Sequence, residues 1–338
     1  MTQPLLEVRS LTKYFNVQAG GALGFGRKIV RAVDDVSFTI SAGETLGLVG
    51  ESGCGKSTLA RTILFLEEPT SGEILFQGQP LTGKRVLELR RQAQIVFQDP
   101  YSSLPPRMKI GSIVGDPLVI HGLARGGELK DRVAQLLEDV GLKPNTADRF
   151  AYELSGGQRQ RVGIARALAV QPSLVIADES VSSLDVSVQA QILNLLQDLQ
   201  QRHQLAYLFV SHDLGVVKYM SHRIAVMYLG KIVELTTTDK LYQQPLNPYT
   251  RALLSAIPKM HDRDHRRVPL KGEPPDPAKP PPGCKFHPRC LLAQELCSQD
   301  APELKEWQPG HFAACHFALD DIGAGSAVRQ QPAKEIES

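Results

Sequence analysis

No stretch of this 338-residue chain approaches the roughly 20 consecutive apolar residues that carry a helix across a bilayer, so the sequence supplies no membrane span of its own. Cysteine is scarce at five residues, one of them inside a glycine-rich loop, which excludes a secreted fold stapled by disulfides. Charge of one sign is lacking too. A formal net charge of +2 gives no basic surface of the kind that a nucleic-acid polyanion needs, and no nucleic-acid partner is expected. Met1-Thr2-Gln3-Pro4 has none of the basic, apolar and cleavage regions of a secretory leader, and the chain is expected to be cytosolic.

What is present centres on Gly50-Glu51-Ser52-Gly53-Cys54-Gly55-Lys56-Ser57-Thr58. An apolar run, Thr45 to Val49, precedes it and a helical run, Leu59 to Leu66, succeeds it, so the glycines fall where a strand turns into a helix. That context defines a phosphate loop. Successive backbone N–H groups and the positive end of the helix converge on an anion, and glycine lets the chain approach it without a Cβ clash. Lys56 is then placed to reach the outer phosphates and the Ser57 hydroxyl to ligate Mg²⁺.

Around this loop the pattern is that of alternating strands and helices. Leu5 to Val8 reads as a short strand that continues to the aromatic pair Tyr14-Phe15, and a glycine-rich loop spans Gln18 to Arg27. Further strands are expected at Val36 to Ile40, Ile74 to Phe76 and Gln94 to Phe97, the last ending at Gln98, whose side-chain oxygen can reach Mg²⁺ or can simply belong to a loop. Residues 100–150 turn helical, broken by Pro105-Pro106, Gly126-Gly127 and Pro144, as an inserted lobe would be. Leu154-Ser155-Gly156-Gly157-Gln158 opens another helix, with Ser155 also a good N-cap. Leu174 to Ala177 is a fully apolar strand of the buried parallel kind, ending in Asp178-Glu179. Carboxylates at the C-terminal end of such a strand suit Mg²⁺ and water. A long helix, Val186 to Arg202, leads to the strand Ala206 to Val210, which delivers Ser211-His212-Asp213; two more strands extend the pattern to Leu235.

The ordered set of phosphate loop, Gln98, LSGGQ, Asp178-Glu179, Ser183-Leu184-Asp185 and His212 resembles the nucleotide-binding subunits of ABC transporters. The resemblance implies an α/β P-loop NTPase cassette over residues 1–235, a RecA-like core with an antiparallel β subdomain and a helical subdomain at about 100–150. It implies that Tyr14 stacks on adenine, with Phe15 as the alternative, and that Gly50 to Thr58 bind the phosphates. Ser57, Gln98 and Asp178 would surround Mg²⁺, with Gln98 also the link to the membrane subunits. Glu179 would act as general base and His212 would contact the γ-phosphate. Ser155, Gly156, Gly157, Gln158 and Asp185 would complete the ATP site of an opposing subunit. Two departures stand out: Ser180 occupies the position where the family commonly has proline, and Ser183 one where alanine is usual. Loss of a fixed φ at residue 180 predicts a tuned site, not an inactive one.

Beyond residue 235 the N-P-Y-T-R-A-L-L and P-P-G-C stretches resemble the C-terminal region of the oligopeptide and dipeptide importer branch, within which the whole chain is most similar to the second ATPase of a dipeptide importer. The branch implies a C-terminal domain over 236–323 and a disordered tail over 324–338. It implies ATP hydrolysis that energises import of short peptides at the cytoplasmic face of the cell membrane, with a second, homologous ATPase as heterodimer partner, two transmembrane permeases and an extracytoplasmic binding protein. Nickel chelates, glutathione or sugars are the alternative cargoes, and a soluble ABC ATPase outside transport is the rival class. Cys284, Cys290, Cys297 and Cys315, separated by five, six and seventeen residues, favour metal ligation over disulfides. Relatives in the branch imply a 4Fe-4S cluster there; Zn²⁺ with His287 or His316, and four reduced thiols, stay open.

Overall fold

Strands dominate the N-terminal third, where β-branched and apolar residues crowd the sequence. In the computed structural model, which describes residues 3–18, 27–99, 103–257, 270 and 272–318, β1 (Leu6–Gln18) pairs antiparallel with β2 (Arg27–Ile40). Of the loop expected from Gln18 to Arg27 the two end residues belong to β1 and β2 and the rest lies outside the described residues, as does the tail at 324–338. β1 is one strand that runs through the aromatic pair, as expected, and its register shifts between Val8 and Leu11 and again before Tyr14 decide which side chains face which way. β3 (Thr45–Val49), buried at every residue, runs into the phosphate loop and α1 (Lys56–Ile63). β4 (Ser71–Phe76) and β5 (Gln79–Pro80) complete a four-stranded antiparallel sheet of order β2-β1-β4-β5.

After α2 (Lys84–Gln92) and β6 (Ala93–Val96) comes the helical lobe, with α3 (Ile110–Ile120) and α4 (Gly126–Asp139). Gly126-Gly127, expected as a break, instead opens α4, because residues of a first turn need no intrahelical N–H partner. α5 (Gly156–Leu168) leads out of the lobe to β7 (Leu174–Asp178), α6 (Val186–His203), β8 (Ala206–Ser211), α7 (Leu214–Met220), β9 (Arg223–Tyr228) and β10 (Lys231–Thr237). β6, β7, β8, β3 and β9 pair in parallel, with Val49 level with Ser211 and Asp178 level with Val210. Two apolar clusters cover this sheet. One joins it to the helical lobe through residues such as Ile113, Leu137, Ile192 and Phe209; the other joins it to the antiparallel sheet through Leu6, Ile40, Leu48 and Leu208.

The sheet does not stop at the cassette. α8 (Thr238–Gln243) and α9 (Pro248–Ser255) come after β10, and beyond α10 (Glu295–Gln299) the hairpin β11 (Lys305–Gln308) and β12 (His311–Ala313) docks on β10, giving eight strands in the order β11-β12-β10-β9-β3-β8-β7-β6. Adding β12 pairs the outer edge of β10, which would otherwise present unpaired backbone groups. A buried charge anchors the junction. The fully buried Glu234 carboxylate accepts the N–H groups of Leu246 at 2.7 Å and Asn247 at 3.0 Å, and lies 2.7 Å from His311 Nε2, itself fully buried. Three segments distant in sequence thus share one carboxylate.

Removing a buried carboxylate strands its donors. Glu234→Ala is expected to lower the unfolding free energy by about 3 kcal/mol, read by chemical denaturation; a loss below about 1 kcal/mol would show that the carboxylate does not hold the junction.

Candidate functional site

The phosphate loop is built by exclusion. A Cβ on Gly50 would run into the Met227 carbonyl and one on Gly55 into the Ala32 carbonyl, and Gly55 also holds φ at 111°. The loop is thereby pressed against β9 and β2 and leads into α1, whose N-cap is Gly55. Lys56 is buried, and its ammonium donates to the carbonyl oxygens of Gly50 at 2.8 Å and Glu51 at 3.0 Å. Burial raises the pKa of the neighbouring Cys54 thiol and keeps it protonated. Above the loop lies a cavity of about 390 Å³ lined by Ser52 to Thr58, Gln98, Glu179 and, on one side, Phe15, Val30 and Arg31.

The strand ends bring the expected polar groups to this cavity. The Ser57 hydroxyl donates to Asp178 Oδ1 at 2.9 Å, setting two oxygen ligands side by side. Burial raises the Asp178 pKa, and the Ser57 bond works against that rise. The Gln98 amide donates to Glu179 Oε2 at 2.9 Å, and His212 Nδ1 stands 3.4 Å from the same oxygen. Glu179 holds φ at 47°, a left-handed conformation uncommon for a residue with a side chain. The next residue, Ser180, is buried, and among the described residues its hydroxyl has no partner.

Tyr14 is not part of the cavity wall. Its hydroxyl donates to Asp34 Oδ1 at 2.6 Å, and burial together with that carboxylate pushes its pKa up to about 12. Neighbouring strand residues point to opposite faces, so it is Phe15 that lines the cavity. Ser155, Gly156, Gly157 and Gln158 also stand apart from the cavity. Ser155 Oγ accepts the Gln158 N–H at 3.3 Å, Gln158 Oε1 accepts the Ser155 N–H at 3.1 Å, and both residues are exposed at the start of α5. A side chain on Gly157 would collide with Val188 of α6. Asp185 is exposed and caps α6, accepting the Val188 N–H at 3.0 Å and the Ser187 hydroxyl at 2.7 Å, which together lower its pKa.

Sequence reasoning missed what the C-terminal region brings. Glu273 to Pro277 lies along the loop residues Glu51 to Cys54, and Pro277 also lines the nucleotide-sized cavity. Arg289 pairs with both carboxylate oxygens of Glu51, at 2.6 and 3.0 Å, while the Glu51 N–H donates to the Tyr249 hydroxyl at 2.9 Å. Phe286 packs edge to face on both Tyr228 and Tyr249, which lie tilted against each other. Tyr249 belongs to the N-P-Y-T-R-A-L-L stretch, but nothing in the spacing of Tyr249 or Arg289 signalled a contact with Glu51.

Cys284, Cys290, Cys297 and Cys315 are all free and line one small cavity with His287 and His316. Burial pushes the Cys284 thiol up to about 11 and raises Cys290 and Cys315 as well, with the neighbouring thiols adding to each rise. Among the described residues, however, no group of three or more His, Cys, Asp or Glu side chains is gathered closely enough to hold a metal ion. The expected ligand set therefore lines one cavity but is not drawn into a coordination sphere; Cys297 is carried by α10 and the other three cysteines by irregular segments.

A strand-loop-helix phosphate cradle, paired oxygen ligands and a carboxylate at adjoining strand ends define an ATPase cassette. The ABC transporter family matches residues 33–182, and the "Oligopeptide/dipeptide transporter, C-terminal region" family matches residues 233–297. The chain is 51% identical over 324 residues to the oligopeptide transport ATP-binding protein AppF of Bacillus subtilis, covering 93% of this chain and 98% of that one. It is 47% identical to the di/tripeptide transport ATP-binding protein DppF of Pseudomonas aeruginosa, covering 95% of this chain and all of its relative. Among solved structures, CbiO1 of Clostridium perfringens, part of an ABC transporter complex, superposes with a TM-score of 0.61 at 26% identity over 71% of this chain and 91% of its own. The ATP-binding cassette MJ0796 bound to ADP and Pi gives 0.60 at 29% identity over 69% and 98%. This chain belongs to the ABC transporter ATP-binding proteins, in the branch defined by the oligopeptide/dipeptide transporter C-terminal region. It is an ATPase coupled to transport, acting with ATP and Mg²⁺ and associated with the membrane through permease partners. Among the described residues no helix is long and apolar enough to cross a membrane.

The unpartnered Ser180 hydroxyl costs stability where it is buried. Ser180→Ala is expected to leave the fold intact and raise stability by about 1 kcal/mol, measured as a higher midpoint in denaturant; a clear loss would reveal a bond to that hydroxyl.

Proposed function

We propose that this chain hydrolyses ATP to drive uptake of short peptides, as one half of a motor beneath two permease subunits and an extracytoplasmic binding protein. The observation that carries this reading is the match of both segments, cassette and C-terminal region, to one branch across nearly the whole chain. The nucleotide occupies the cavity over the phosphate loop, with its base against Phe15 and its phosphates against residues 52–58 of the loop. Mg²⁺ entering with ATP would be held by Ser57 and Asp178, whose oxygens already adjoin, and by Gln98, and would supply charge neutralisation on the phosphates. Glu179, oriented by the Gln98 amide and flanked by His212, positions the attacking water and takes its proton.

The exposed start of α5 and the exposed Asp185 serve a second site. A homologous but distinct ATPase stacked head to tail would place Ser155 to Gln158 over its nucleotide, and this chain would receive the same from the partner. Binding of ATP then favours the closed pair and hydrolysis releases it, an equilibrium shift set by differential affinity. Reconstitution with the permeases in liposomes tests the assignment: ATP turnover and uptake both rise with a dipeptide and its binding protein, whereas a response only to a sugar or a metal chelate would redirect it. Glu179→Gln is expected to retain ATP while turnover falls by about 10²–10⁴-fold; unchanged turnover would assign the water to another residue.

The four cysteines are proposed to hold a 4Fe-4S cluster that cross-links residues 284–297 to 315. Its support is a donor set of four free thiols around one buried cavity. Anaerobically purified protein is expected to carry iron with a broad visible absorption that is lost in Cys290→Ser. A colourless sample with zinc would point to Zn²⁺, and a metal-free one to packing alone.

A further inference from the structure

The Glu51 carboxylate sits within the loop that cradles an anion, where its charge opposes the phosphates. Loops of this kind work by collecting positive potential from N–H groups and lysine, and an unneutralised carboxylate among them would weaken the attraction. We infer that Arg289 is a positioning and charge-neutralising residue of the nucleotide site: it cancels the charge of Glu51 and holds that side chain turned away from the phosphates.

Three observations carry this. The contact is two-pronged, Nη1 to Oε2 at 2.6 Å and Nη2 to Oε1 at 3.0 Å, the geometry in which guanidinium fixes a carboxylate in direction as well as distance. The Arg289 side chain is 4% exposed and that of Glu51 24%, so solvent screens the pair poorly. Glu51 is also held through its backbone, its N–H by Tyr249 at 2.9 Å and its carbonyl by Lys56 at 3.0 Å, so the residue that Arg289 steadies is one that directly contacts the phosphate-binding lysine. Two of these restraints come from beyond β10. The C-terminal region therefore completes the electrostatics of a site whose motifs all lie before it.

The inference rests on the phosphate loop being the nucleotide site, and the experiment separates the two. Equilibrium binding of Mg-ATP to the full-length chain is compared for the wild type, Arg289→Gln, Glu51→Gln, the double variant and Lys56→Ala, with thermal melting as a check on folding. Arg289→Gln is expected to weaken binding by about tenfold, and Glu51→Gln in the same chain to restore it to within about threefold, since the charge that needed cancelling is gone. In the complex the loss appears in KM for ATP rather than in kcat. Unchanged affinity in Arg289→Gln, or a loss that the double variant does not recover, overturns the inference and reduces Arg289 to a packing role. Should Arg289→Gln fail to fold, Glu51→Gln alone decides: with the guanidinium left uncancelled ATP binds more tightly, and equal or weaker binding overturns the inference. If Lys56→Ala retains wild-type affinity, the nucleotide lies elsewhere and the reading beneath the inference fails instead.

Discussion

The register of parallel strands is the constraint on which this molecule depends. β3, β7 and β8 each end in a functional turn, and their pairing sets Val49 level with Ser211 and Asp178 level with Val210. Because side chains alternate across a sheet, a slip of one residue in β7 would send Asp178 to the opposite face and part it from Ser57. The buried apolar residues of all three strands oppose such a slip, since Leu46, Leu48, Ile176 and Leu208 are committed to one core and Val49, Val175, Ala177 and Phe209 to the other. Packing energy thus holds polar groups that would not stay together by their own attractions.

The second organising feature is how far the C-terminal region enters the first. β12 continues the central sheet, Glu234 gathers three distant segments, and Arg289 and Tyr249 grip a residue of the phosphate loop. β10 runs from Lys231 to Thr237 and is both the last strand of the cassette and the platform on which the C-terminal hairpin docks. The segment with four cysteines is attached to β2 through Lys285, which reaches Asp34 at 2.7 Å, and to the phosphate loop through Arg289, the residue before Cys290. Tyr14, removed from the cavity wall, belongs to this bracing through its bond to Asp34.

The motifs were legible because each requires a residue type at a fixed offset from a strand end, and the apolar runs that set those ends are unambiguous. The phosphate loop, Ser57 beside Asp178, and Gln98 and His212 about Glu179 all lie where such spacing puts them. The choice between Tyr14 and Phe15 was not legible. Alternation makes the two exclusive, but which one faces the cavity depends on bulges in β1, and those arise from pairing with β2 and β4 rather than from local composition. Arg289 and Tyr249 were invisible for a different reason: contacts across about two hundred residues leave no periodic trace.

Lys56 gives the phosphate loop an internal guest. Its ammonium rests on two carbonyl oxygens, those of Gly50 and Glu51. On the proposed reading an arriving phosphate would have to coax the cation off hosts it already has, and what is felt as affinity would be only the excess of a charge-assisted bond over the neutral ones surrendered. Departure of product would be the reverse: the lysine would fold home instead of being left bare.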